Sequence, residues 1–307
     1  PHAPGHRPCH CPREGSPRAA QAPAMVGLSR PADGHPDERS RSTGGYPSDR
    51  HGPAALAGLR AAPPPAPLPP AVRPSPEVQL ILVRHGQSAN KESRKLGHKA
   101  AADPGLTDLG HAQAEVLGDR LRREYGQSVE RGEVMVVSSP MRRCLLTIRP
   151  MVQMTRLAPR HCLCHGGCYE YGCAGATHIG TTSAEISGEF PEFRPVGFSD
   201  QDTWDYCGEN DKESEPECRA RCLRIARWLH AQREAGAART ILLVVHQTIA
   251  DVLCRLLLEG HADAWEYGDI RFKLSNACLT QVSLLGDGTA RIGVKNDGGH
   301  LWSLKGR

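Results

Sequence analysis

Residues 80–90 read Leu80-Ile81-Leu82-Val83-Arg84-His85-Gly86-Gln87-Ser88-Ala89-Asn90, and this stretch decides the fold. Its apolar run predicts a buried strand, which stops abruptly at an arginine, a histidine and a glycine. In open α/β sheets, ligands bind at the carboxyl ends of the strands. A guanidinium beside an imidazole favours an anion between them, and phosphate is the commonest such anion. The stretch therefore predicts a phosphate site at the end of a strand.

Strand-like and helix-like segments alternate along the rest of the chain. Apolar runs predict strands over 78–83, 133–137, 240–245, 272–274, 279–284 and 290–294. Helical spacing predicts helices that begin near Thr107 and Pro140, one over 214–235, and one that ends near Leu258. This alternation predicts an α/β protein, a three-layer α/β/α sandwich with a mostly parallel central sheet.

The first 76 residues differ sharply in composition from the rest. They hold 18 of the 25 prolines and no lysine. Because proline is excluded from helix interiors and inner strands, residues 1–76 are predicted to form a disordered Pro/Ala/Arg-rich segment, and 77–307 the folded part. Within the folded part, residues 155–213 show no sustained hydrophobic periodicity of a helix or strand. The length of this segment predicts an irregular insert that covers the substrate.

Charge, hydropathy and cysteine content narrow the class of protein. The net charge of +4 is too mild for nucleic-acid binding, and no apolar stretch reaches transmembrane length, so neither partner is expected. The twelve cysteines are expected to be reduced core residues, which favours the cytoplasm. Organellar targeting is a weaker alternative, because the N-terminal segment carries acidic residues. A zinc site is also weaker, because its candidate ligands contain no Cys-x2-Cys pair: His161, Cys162, Cys164, His165, Cys168 and Cys173.

Three strand ends carry groups that suit a phosphate. The strands near 80 and near 240 end at His85 and His246. The strand near 135 ends at Ser138-Ser139-Pro140-Met141-Arg142-Arg143, which supplies hydroxyls, an arginine and the N–H groups of a helix N-terminus. Two histidines at equivalent positions, with an anion site between them, point to phosphoryl chemistry.

These segments resemble, in order, the motifs of the histidine phosphatase (phosphoglycerate mutase-like) superfamily. The resemblance covers about 78–302. It is carried by Arg84-His85-Gly86, Leu106-Thr107-x-x-Gly110-x-x-Gln113-Ala114, Ser138-Ser139-Pro140-x-x-Arg143-x-x-x-Thr147, Val244-Val245-His246, Ser275-Asn276-Ala277 and Asn296-Asp297-x-x-His300-Leu301. The resemblance implies a phosphoglycerate mutase-like fold over 77–307 as the catalytic domain.

The resemblance also implies a role for each motif residue. His85 would attack phosphorus and become a phosphohistidine, with its other ring nitrogen held by a carbonyl or carboxylate. Arg84, Arg143 and His246 would grip the phosphoryl oxygens and neutralise charge. Ser88 and Asn90 would donate further hydrogen bonds. Fixed cations would replace a metal ion, so no cofactor is expected.

The general acid and one phosphate ligand depart from the pattern of the superfamily. The acid is expected about thirty residues after the serine pair, where Glu170 is the candidate. Relatives with a double glycine carry it two positions before the first glycine, which is Cys164 here, so the acid is either Glu170 in a shifted register or missing. Gln247 stands where a glycine usually follows the second histidine, and it would add an amide donor at the phosphate.

The favoured function is a metal-independent phosphatase acting on a small phosphomonoester. A phosphoglycerate mutase-type transfer is the second reading, because Glu170-Tyr171-Gly172 partly matches the stretch around the acid in those enzymes. The third is a catalytically impaired module that binds phosphate or protein, motivated by the acid and by Gln247. The proline-rich segment has the composition of a ligand for SH3-like or WW-like domains.

Overall fold

A seven-stranded sheet forms the centre of the protein. The computed structural model describes residues 77–90, 103–176, 178, 180–206, 208, 210–259 and 272–304, so the prediction for 1–76 lies outside the described residues. The strands are β1 (Val78–Arg84), β2 (Val134–Ser138), β3 (Cys162–His165), β4 (Arg194–Val196), β5 (Thr240–Val245), β6 (Leu279–Leu284) and β7 (Ala290–Ile292). Their order is β4-β3-β2-β5-β1-β6-β7; β1 to β5 run parallel, and β6 and β7 are antiparallel additions.

The apolar run at the start of the decisive stretch forms β1, between β5 and β6. Leu80 lies opposite Ile241 of β5 and opposite Val282 of β6. Successive side chains point to opposite faces, so Leu80 enters one core and Ile81 the other. Both side chains are buried, as expected for a strand that is covered on both faces.

Helices cover both faces of the sheet. They are α1 (Asp108–Glu130), α2 (Arg142–Thr155), α3 (Ser183–Glu189), α4 (Glu215–Glu234) and α5 (Gln247–Glu259). α1 and α2 pack on the face that holds Ile81, and α4 and α5 on the face that holds Leu80. The predicted three-layer sandwich is confirmed. No helix in the described part of the chain is both long enough and apolar enough to cross a lipid bilayer.

Local sequence features explain where α1 begins and how closely α1 packs against α2. The Thr107 side chain accepts a hydrogen bond from the Gly110 N–H at 3.0 Å and caps α1, as predicted. Pro150 lies inside α2 without ending it. A Cβ on Gly118 of α1 would lie 3.0 Å from the Pro150 side chain, so the two helices approach closely at a residue without a side chain.

The expectation of an irregular insert over 155–213 is wrong in part. This segment contributes β3 and β4 to the sheet and also contains α3, which begins with a capping box of Thr182 and Glu185. Strands of four and three residues are too short to show a hydrophobic periodicity, and their conformation follows from the pairing of β3 with β2 and of β4 with β3. The predicted strand over 272–274 is wrong, because these residues form no strand in the structure.

Candidate active site

A cavity of about 620 Å³ opens where the parallel strands end. Arg84 ends β1, Arg143 lies in the first turn of α2 after β2, and Glu170 follows β3. The lining residues are Arg84, His85, Ser88, Asn90, Pro104, Arg143, Glu170, Tyr171, Gly172, Cys173, Lys212 and Asn276. Six of the eight predicted site residues therefore lie together around one space.

His85 is held in a single orientation. Its Nδ1 lies 2.7 Å from the Gly86 carbonyl oxygen, which can only accept a hydrogen bond. Nδ1 must therefore carry the proton, which leaves the lone pair on Nε2. Burial lowers the pKa of His85 to about 3, and the charges of Arg143 and Arg84 act in the same direction. The ring is therefore neutral at physiological pH.

The two peptide units on either side of Gly86 are fixed by two neighbouring side chains, Thr147 and Asn276. The Gly86 N–H donates to the Thr147 hydroxyl at 2.9 Å, and that hydroxyl donates to the Arg143 carbonyl at 2.5 Å. On the other side, the Asn276 amide donates to the carbonyls of His85 at 2.9 Å and Gly86 at 3.2 Å. The loop after β1 is therefore held at both of its peptide units.

The cations of the cavity are only partly neutralised. Arg84 donates through Nη1 to the Leu274 carbonyl at 2.7 Å, and within the described chain its buried Nε has no partner. Burial lowers the pKa of Arg84, and the charge of Arg143 lowers it further. Arg143 lies 4.0 Å from a carboxylate oxygen of Asp103, whose own pKa is raised by burial. An anion bound between the two guanidiniums would relieve this repulsion.

Glu170 faces the same cavity with a carboxyl group that resists ionisation. Its Oε1 accepts from the Tyr171 N–H at 2.8 Å, and its Oε2 lies 3.4 Å from the Thr248 N–H in the first turn of α5. Burial raises its pKa despite these bonds. Cys164, the other position considered for the acid, lies in β3 with its side chain buried in the core beneath α2. Of the two, Glu170 is the one that lines the cavity.

His246 lies behind His85 and not among the lining residues. The two ring centroids are 5.2 Å apart. His246 is fully buried, and its Nε2 lies 2.8 Å from the Ser139 hydroxyl and 3.5 Å from the Cys144 sulfur. Burial and the charge of Arg143 lower its pKa well below the usual value. The second histidine is therefore neutral as well, and its ring packs beside that of His85.

Gln247 is not among the residues that line this cavity, and the expected contact of its amide with the phosphate stays a prediction. Its Nε2 donates to the Phe272 carbonyl at 2.9 Å, and its Oε1 accepts from the Leu274 N–H at 2.9 Å. Both ends of the amide are thus engaged by the backbone of the segment before β6. Gln247 lines an adjoining cavity of about 390 Å³, which shares Arg84 with the first. Its observed contacts hold the segment that anchors this arginine.

Six lining residues were not predicted as site residues: Pro104, Tyr171, Gly172, Cys173, Lys212 and Asn276. Asn276 belongs to the Ser275-Asn276-Ala277 motif, whose polar centre was a usable signal. Lys212 lies across Gly172, where an added Cβ would come within 2.6 Å of the lysine Cε. No sequence signal marks Lys212, because its place in the cavity wall depends on how 169–173 meets 210–213.

The cysteine cluster does not assemble. Cys162 and Cys164 point into the core beneath α1 and α2, whereas Cys168 enters the opposite core. Within the described ranges no three His, Cys, Asp or Glu side chains form a group that could hold a metal ion. The described cysteines are free thiols, and most are buried.

Comparison with known proteins agrees with this geometry. The family model for the histidine phosphatase superfamily (branch 1) matches residues 80–297. This chain belongs to that superfamily. Membership in this superfamily favours a phosphatase or another phosphoryl-transfer enzyme. No curated protein sequence matches the chain.

Solved structures include phosphatases similar to this chain. One is a mycobacterial glucosyl-3-phosphoglycerate phosphatase in complex with VO3, with 23% identity, 72% of this chain and 100% of that chain covered, and a TM-score of 0.44. Another is a mutant phosphoserine phosphatase from Entamoeba histolytica in complex with phosphoserine, with 21% identity, 73% and 99% covered, and a TM-score of 0.46.

Proposed function

We propose that the protein is a phosphatase that hydrolyses small phosphomonoesters through a phosphohistidine on His85. The observation that carries the proposal is the hydrogen bond from Nδ1 to the Gly86 carbonyl, which leaves Nε2 of a neutral ring as the nucleophile. Arg84 and Arg143 line the same cavity and would bind the phosphoryl oxygens.

In the first step, the Nε2 lone pair of His85 forms the N–P bond while the ester P–O bond breaks. Glu170 delivers its proton to the departing oxygen, so the alcohol leaves neutral. In the second step, water attacks phosphorus, the resulting carboxylate of Glu170 takes the proton, and the N–P bond returns its electrons to His85. The raised pKa of Glu170 supports this assignment, because the acid must begin protonated.

The two guanidiniums supply the positive charge that other phosphatases take from metal ions, so we expect activity to survive chelation by EDTA. A direct phosphate contact by His246 stays a prediction. Its observed place behind His85 supports a role in holding the nucleophile.

Trapping of the phosphoenzyme tests the proposal. Wild-type protein mixed with labelled p-nitrophenyl phosphate and quenched in alkali should retain label, and His85→Asn should not. His111→Asn, at an exposed histidine of α1, is the matched control and should label normally. Hydrolysis that proceeds without bisphosphoglycerate supports a phosphatase over a mutase. Absence of both label and turnover would favour a binding module instead.

A further inference from the structure

A fully buried ion pair lies directly behind the loop that carries Glu170. Arg221 of α4 donates through Nε to Oε1 of Glu213 and through Nη2 to Oε2, both at 2.7 Å. Each side chain is only 1% exposed. Burying two charges requires their desolvation, so such a pair adds little net stability compared with apolar residues of similar volume. Its contribution must therefore be sought in what it positions.

The remaining donor of Arg221 binds the loop itself. Nη1 donates to the carbonyls of Gly167 at 2.5 Å and Tyr169 at 3.0 Å. The guanidinium carbon lies 3.6 Å from the centre of the Tyr169 ring, and the Tyr169 hydroxyl donates to Glu213 at 3.0 Å. One guanidinium thus fixes two carbonyls and one ring in the three residues that precede Glu170.

The other contacts of the Glu170 carboxyl do not replace this anchor. Oε1 accepts from the adjacent Tyr171 N–H, which moves with the loop. Oε2 reaches Thr248, whose N–H lies at 3.4 Å and whose side chain also hydrogen-bonds to the carboxyl; both contacts hold the carboxyl group and neither holds the backbone of the loop. The position of the carboxyl relative to His85 therefore depends on where residues 167–169 are held.

We propose that the Arg221–Glu213 pair is a positioning device for the general acid. This inference rests on the proposed role of Glu170. Neither residue lines the cavity or touches the reacting atoms. Their effect is to keep the carboxyl where it can protonate the leaving oxygen, and a displacement of about 1 Å at such a group can lower a rate by about 100-fold.

Esters that differ in leaving group separate positioning of the acid from general structural damage. Phenyl phosphate needs protonation of its leaving oxygen, whereas 2,4-dinitrophenyl phosphate releases a stabilised anion without it. The double variant Arg221→Met/Glu213→Leu removes both charges together, so no unpaired buried charge remains. We expect kcat/KM for phenyl phosphate to fall by about 10- to 100-fold, and that for the dinitrophenyl ester by less than about 3-fold.

Three further variants complete the test. Arg221→Lys keeps a charge beside Glu213 but loses the fork that reaches Gly167 and Tyr169, so it should show the same selective loss even if the double variant fails to fold. Arg224→Met breaks the exposed Arg224–Asp205 ion pair one turn along α4 and should leave both esters unchanged. Glu170→Gln gives the loss of kcat/KM that follows when the general acid itself is removed. Adding this substitution to the double variant should cause little further loss, since both changes act through the same carboxyl group.

The outcomes distinguish the inference from the proposed function. Equal losses on both esters in the Arg221 variants, with a selective loss in Glu170→Gln, would overturn the positioning role and leave the phosphatase mechanism standing. Equal losses in Glu170→Gln itself, or a wild-type protein without turnover, would overturn the role of Glu170 and the inference with it.

Discussion

The neutral state of the buried His85 should make the folded protein sensitive to acid. In the native state, burial and two arginines lower its pKa from 6.5 to about 3. In the unfolded chain the same imidazole titrates near its ordinary value. As pH falls below that value, the unfolded chain binds a proton that the native protein rejects, so the free energy of unfolding decreases. The stabilisation is fully present above the unfolded pKa and is lost as pH falls towards the native pKa.

The size of the effect follows from the two pKa values. At pH 5, the imidazole of the unfolded chain is protonated about 30-fold over neutral, which favours unfolding by ~2 kcal/mol. Below the native pKa the full shift would amount to ~5 kcal/mol. His85→Gln removes the titrating group and should therefore remove this part of the pH dependence.

Urea denaturation at pH 7 and pH 5 measures the difference. The free energy of unfolding of the wild type should fall by ~2 kcal/mol more than that of His85→Gln over this interval. The buried His246 and His165 titrate in both proteins, so their contributions cancel in the comparison. Identical pH dependence in the two proteins would refute a low native pKa at His85, and with it the permanently neutral nucleophile.

Further substitutions test the supports of the nucleophile loop. Thr147→Val deprives the buried Gly86 N–H of its acceptor and should lower the free energy of unfolding by ~1–3 kcal/mol in urea titrations, together with kcat/KM; an unchanged kcat/KM would contradict the support role. Thr107→Ala removes the cap of α1 and should destabilise by ~1 kcal/mol in the same titrations, whereas Thr107→Ser should not. Gly110→Ala would bring a Cβ within 2.1 Å of the Gln87 carbonyl oxygen, and we expect a loss of ~1–3 kcal/mol by thermal denaturation; wild-type stability would refute that close approach.

The central strands could be predicted from the sequence because they are long and apolar. Thr240–Val245 and Leu279–Leu284 were predicted at their observed bounds, since each is an uninterrupted run or a clear alternation. β3 and β4 were missed because Cys162–His165 carries a histidine and two cysteines, and Arg194–Val196 is only three residues with a central proline. Their strand conformation comes from parallel pairing, which local patterns do not encode.

The part of the site that lies at the carboxyl ends of the strands could be predicted from the sequence. Arg84 and His85 converge with Arg143 because the parallel strands β1 and β2 deliver their carboxyl ends to one edge. Gln247 could not be placed in the same way, because its orientation depends on the Phe272 carbonyl and the Leu274 N–H, which are distant in sequence. The burial of Arg221 could not be predicted either, because its apolar surroundings and its carboxylate partner come together only when the chain folds.

One physical cause sets the protonation of both reacting groups. Burial disfavours charge, so it lowers the pKa of His85 and raises that of Glu170, leaving a neutral base and a carboxyl group inclined to hold its proton. The positive charge of the cavity is then left to the guanidiniums of Arg84 and Arg143. A phosphoryl dianion would meet two fixed cations, an unprotonated nucleophile and a proton donor at the same pH. The charge state of each group therefore follows from how deeply the fold buries its side chain. The same burial of His85 makes the folded protein less stable in acid.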